Sequence, residues 1–122
     1  MVGTTPKIDR LIRQFGRRVA RRIQVDRIIL FGSRSRGEAL HESDIDLAVI
    51  SPDFRDMHVF RRMELLAREW GLNEAADIFG YTPQEFEQAG ALTFAGQIRT
   101  TGKIVFPRKN PRVRRDRKEC SR

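Results

Sequence analysis

The sequence predicts an α/β (α+β) domain in which a small mixed sheet of three to four strands carries helices packed on one face. Stretches whose apolar residues recur every 3.6 positions alternate with short runs rich in β-branched residues, and the joints between them are brief and hold glycine, proline or serine. Helices interleaved with strands in this way build layered α/β architectures. A chain of 122 residues has room for one core and one site.

The first element is an amphipathic helix over residues 5–23, where Ile8, Leu11, Ile12, Phe15, Val19 and Ile23 form the apolar face. Thr4 or Thr5 before Pro6 suits its start. Arginines, among them Arg17, Arg18, Arg21 and Arg22, fill the other face, which reads as a solvated face ahead of a nucleic-acid stripe. Residues 25–31 (VDRIILF) form a buried strand stopped by Gly32, and residues 45–50 (IDLAVI) a second, ended by Ser51-Pro52. A helical turn is expected near residues 38–41 between them.

Val59, Phe60, Met63, Leu66, Ala67 and Trp70 define a second helix, capped by Asp53 or Asp56 and closed by Gly71. Trp70 reads as core, and His41 and His58 as surface residues. A weaker strand covers 75–81 (AADIFGY). Thr82-Pro83-Gln84-Glu85 is then a capping box with proline at the first helical position, so one or two further helices should occupy 83–100. Residues 102–106 (GKIVF) can add an edge strand.

Charge divides the chain into a domain over 1–106 and a tail over 107–122. Of the net +8, the tail carries +6 and the body only +2. The tail has few apolar residues and is expected to be disordered in isolation. Its charge would give salt-sensitive contact with RNA, although it lacks interleaved aromatics for stacking. A single cysteine, Cys120, cannot close an internal disulfide, and no apolar run approaches membrane-spanning length. A cytoplasmic protein without a membrane segment is the expectation.

The chemistry-bearing stretch is residues 31–50, FGSRSRGEALHESDIDLAVI. Strand alternation puts Asp44 and Asp46 on one face while Ile45, Leu47 and Val49 enter the core on the other. Two carboxylates so placed repel unless a cation lies between them, and Mg²⁺ favours carboxylate oxygens while sharing its shell with phosphates. Upstream, Gly32-Ser33 offers exposed amides and a hydroxyl as a phosphate cradle, with Arg34 and Arg36 adding charge for the same anion. Gly-Ser, ten residues, then Asp-x-Asp fixes four positions, a coincidence expected on the order of 10⁻³ times in a chain of this length.

At these residues the chain resembles the minimal nucleotidyltransferase family of the DNA polymerase beta-like nucleotidyltransferase superfamily, across about residues 5–100. The resemblance implies a nucleotidyltransferase-like fold in which Gly32 and Ser33 hold a triphosphate and Asp44 and Asp46 bind two Mg²⁺ ions. It implies a third carboxylate on the adjacent strand, for which Asp77 is the best match and Glu74 the alternative; Asp77 would then share its face with Phe79 while Ile78 packs beneath. Ser43 could brace Asp44. Transfer of AMP from ATP, or of another NMP from its NTP, to an acceptor follows from the same resemblance. With no second domain to hold that acceptor, a small helical HEPN-type protein is the implied partner, in an antitoxin role. The alternative is a catalytically silent module of the same fold that neutralises a partner or binds RNA through its tail.

Overall fold

A computed structural model describes residues 6–32, 45–71 and 75–107. Helix α1 (Pro6–Ala20) leads into strand β1 (Arg27–Phe31); β2 (Ile45–Ile50) follows, then a 3₁₀ turn at Pro52–Phe54 and helix α2 (Val59–Trp70). Strand β3 (Ala76–Tyr81), helices α3 (Pro83–Gln88) and α4 (Phe94–Thr101), and strand β4 (Lys103–Phe106) complete the domain. The order in the sheet is β3-β2-β1-β4. β1 pairs antiparallel with β2 and with β4, whereas β2 and β3 run parallel. That parallel pair requires a crossover, and α2 supplies it. Among the described residues, no helix is long and apolar enough to cross a membrane.

The mixed sheet and the order of elements follow the sequence expectation, with β4 at the edge. The two long helices occupy the predicted face: Ile8, Ile12, Phe15 and Val19 of α1 and Leu66 and Trp70 of α2 pack on Ile28, Leu30, Ile45, Leu47, Val49 and Ile78. Trp70 is core, its ring meeting that of Phe15 edge-to-face at 5.3 Å. The helices are not confined to that face. Phe86 of α3 and Ala95 and Ile98 of α4 pack on Ile29, Phe31, Ala48 and Ile50 on the other side of the sheet. These helices are too short for periodicity to reveal which layer they join.

Helix α2 starts later than an Asp53 or Asp56 cap would allow. His58 is its N-cap, with Nδ1 accepting from the Phe60 amide at 3.2 Å, while an Asp53 carboxylate oxygen accepts from the Gln24 amide at 2.8 Å. The capping box at Thr82 forms as predicted, Thr82 Oγ1 accepting from the Glu85 amide and Glu85 Oε1 from the Thr82 amide. The expected turn near residues 38–41 and the tail beyond 107 lie outside the described residues.

Arg62 joins three elements. Only 6% exposed, it donates from Nε to the Met57 carbonyl and from Nη1 to the Gly80 carbonyl, and its guanidinium forks onto both Glu85 carboxylate oxygens at 2.8 and 3.1 Å. The same guanidinium lies 5.6 Å from the centre of the Phe54 ring. Such bidentate, charge-assisted contacts are among the stronger polar links in proteins. Removing the arginine would leave two carbonyls and a carboxylate without their donor. Arg62→Ala is therefore expected to lower stability by about 3 kcal/mol, read by urea denaturation.

The hydrogen bonds from Arg62 hold the Glu85 carboxyl below its usual 4.5, against a partial desolvation that acts the other way. Because the native value is depressed, the stabilisation is complete above the unfolded-state value and fades as pH falls from there through the native one. Melting temperature followed down through pH 4.5 should fall more steeply in the wild type than in Glu85→Gln, which keeps an acceptor for the Thr82 amide and loses the titration.

Candidate active site

Strand register brings two of the predicted carboxylates together. Asp46 of β2 is the direct partner of Asp77 on β3, and Phe31 of β1 is the partner of Asp46 on the other side. Side chains at partnered positions share a face, so Asp77, Asp46 and Phe31 form one row across the sheet. Neighbouring strands lie about 4.8 Å apart, and like charges directly opposed at that spacing repel. Asp46 is half-buried and Asp77 exposed, at the end of the sheet face beyond the residues on which α3 and α4 pack. Ile78, between Asp77 and Phe79, packs into the core beneath, as the sequence predicts.

Gly32 borders this row. Its φ of +85° is one that residues with a side chain rarely adopt, and a Cβ built there would stand 2.5 Å from Oδ2 of Asp46. Both the turn out of β1 and the approach of the carboxylate therefore need the missing side chain. Ser33, Arg34, Arg36, Ser43, Asp44 and the alternative carboxylate Glu74 lie outside the described residues. Among the described residues, no group of three or more His, Cys, Asp or Glu side chains could hold a metal; Asp46 and Asp77 supply two oxygen-bearing groups. Their chemistry, hard carboxylate oxygens on directly partnered strand positions, fits a divalent cation of the Mg²⁺ type.

The chain's overall relationship follows from comparison with known proteins. A family model described as the nucleotidyltransferase domain matches residues 12–120. The chain belongs to that family. Nucleotidyltransferase domains move a nucleoside monophosphate from a triphosphate to an acceptor and in general use a divalent metal, which is the reaction class of this chain. The resemblance drawn from the Gly-Ser and Asp-x-Asp residues thus holds at the level of this domain.

A crystal structure from Sulfolobus solfataricus at 1.40 Å resolution, described as that of a suspected nucleotidyltransferase, aligns with a TM-score of 0.62 and 22% identity. The alignment covers 80% of this chain and 78% of the other. At that identity the likeness bears on the fold, a mixed α/β sheet of the nucleotidyltransferase kind. No curated protein matches the sequence.

Two further features of this sheet face are not legible in the sequence. Phe31, Phe79 and Phe94 form an aromatic cluster beside the carboxylate row, with ring centres 5.3 to 6.3 Å apart; no periodicity links three residues from β1, β3 and α4. Tyr81 lies two residues beyond Phe79 on the same face, and burial, reinforced by the charge of Glu85, raises its hydroxyl above the usual 10.0.

Placing a methyl group at residue 32 tests the contact with Asp46. Gly32→Ala is expected to destabilise the domain by about 2 kcal/mol in chemical denaturation. The double variant Gly32→Ala/Asp46→Ala should recover part of that loss, because the shorter side chain at 46 clears the space while the backbone strain remains.

Proposed function

We propose that the protein transfers AMP from ATP to a hydroxyl group on a partner protein, using Asp46, Asp77 and Asp44 as the carboxylates of a two-Mg²⁺ site. The observation that carries the reading is the register of β2 and β3, in which Asp46 stands directly opposite Asp77. Like charges directly opposed on a strand face repel, and a shared cation relieves that repulsion. Family membership supplies the reaction class.

Asp46 and Asp77 would hold the metals together with Asp44. When bound, the ions neutralise the triphosphate and lower the pKa of the attacking hydroxyl. Asp77, the more exposed of the described pair, would accept the proton of that hydroxyl as it attacks the α-phosphate in line with departing pyrophosphate. Gly32 would keep the backbone close to the phosphates, and Ser33, Arg34 and Arg36 would bind them, with Ser43 bracing Asp44.

A protein acceptor is supported by the surface next to Asp77. A groove of about 650 Å³ runs between α2 and β3, the outermost strand of the described sheet, bordered by Phe60, Met63, Ala67, Ala76, Asp77 and Ile78. Phe60 and its neighbour Val59 are both more than half exposed, and exposed apolar residues grouped around a groove are a mark of contact surfaces. The partner implied by the resemblance is a small helical HEPN-type protein, which AMP transfer would silence.

The test combines the purified protein, Mg²⁺, α-phosphate-labelled ATP and the small helical protein of an adjoining gene. Label is expected on the partner, and Asp46→Asn or Asp77→Asn should each reduce its appearance by a factor of about 100 or more, several kcal/mol of lost transition-state stabilisation. Full transfer by both variants would overturn the assignment. Absence of transfer from every NTP would leave a contact-only module of the same fold.

A further inference from the structure

Phe94 is an exposed aromatic residue held in a defined position. Its side chain is 53% exposed, yet its ring lies 5.7 Å from that of Phe31 and 5.3 Å from that of Phe79, nearly perpendicular to both. Edge-to-face packing of this kind fixes ring orientation. The backbone beneath is equally constrained. Thr93 caps α4 by accepting from the Gly96 amide and donates to the Gly90 carbonyl, while Arg99 ties α4 to the carbonyls of Phe86 and Ala89. Ring and turn are therefore set before any ligand arrives, as a binding platform requires.

The place of this platform points to its ligand. Phe31 is the strand partner of Asp46, and Phe79 is the partner of Ala48 two residues beyond Asp77. Ala48, the β2 partner of Phe79, is buried and carries only a methyl group on this face. Two residues along a strand is about 7 Å, the kind of span that one ribose puts between a phosphate and its base. A nucleotide with its phosphates at the carboxylate row can lay its base against the aromatic cluster.

We propose that Phe94, backed by Phe31 and Phe79, is the stacking platform for the base of the nucleoside triphosphate. The inference rests on the nucleotidyl-transfer reading above and adds the subsite that holds the other end of the substrate. Stacking takes any base because every base has a π-face, so the platform favours purines over pyrimidines by ring area.

The experiment compares binding of Mg²⁺-ATP and of Mg²⁺-tripolyphosphate, which shares the phosphates and lacks the base, by calorimetry. Wild type, Phe94→Ala and Phe94→Trp are used, with thermal melting as the check on folding. Phe94→Ala is expected to weaken ATP binding about tenfold and to leave tripolyphosphate binding unchanged, and Phe94→Trp to restore the ATP affinity. Equal weakening of both ligands, or of neither, would overturn the platform while leaving the transfer reading intact. Failure of the wild type to bind either ligand would instead remove the transfer reading, and the platform with it.

Discussion

β2 and β3 run parallel in a register that sets Leu47 beside Ile78 on one face and Asp46 beside Asp77 on the other. A slip of β3 by one residue against β2 would turn its alternation over, sending Asp77 into the layer under α1 and α2 and Ile78 to the opposite face. Core and site are thus two readings of a single pairing. The burial of Ile45, Leu47, Val49 and Ile78 holds two like charges in opposition that they would not adopt unaided.

Parallel strands share no tight turn, so something else must fix where the crossover returns. Arg62 does this from the first turn of the crossover helix. By donating to Gly80 within β3 and to Glu85 in α3, it ties the helix to the strand it delivers and to the element that follows. Its position against Phe54 adds the 3₁₀ turn to the same junction. The polar link therefore sits toward the far end of β3 from Asp77, where it sets the strand without placing a positive charge among the carboxylates.

Much of this was legible in the residues. β2 was read with its observed limits, and the capping box at Thr82 and the burial of Trp70 follow from local chemistry. Asp46 and Asp77 were paired through resemblance and alternation, whereas their direct opposition depends on a register that spacing along the chain does not encode. Other features were hidden because they join distant positions. Arg62 occupies a helix rich in arginine, and nothing in its neighbours marks it as the buried one. His58 displaced the aspartates as cap because the chain turns through Asp56 at a positive φ before the helix begins. The layer joined by α3 and α4 was missed because one turn or two carries too little pattern.

Among the described residues, those two short helices pack on their face from Ala48, two residues beyond Asp46, onward. That side of the sheet is thereby divided between a packed part, where Ile50 and Phe86 meet, and the row that carries the carboxylates. Changes in the packed part act on stability, whereas changes along the carboxylate row act on what is bound. A descendant of this chain could acquire a new substrate by drift along the exposed rim of α4 without first acquiring a new core.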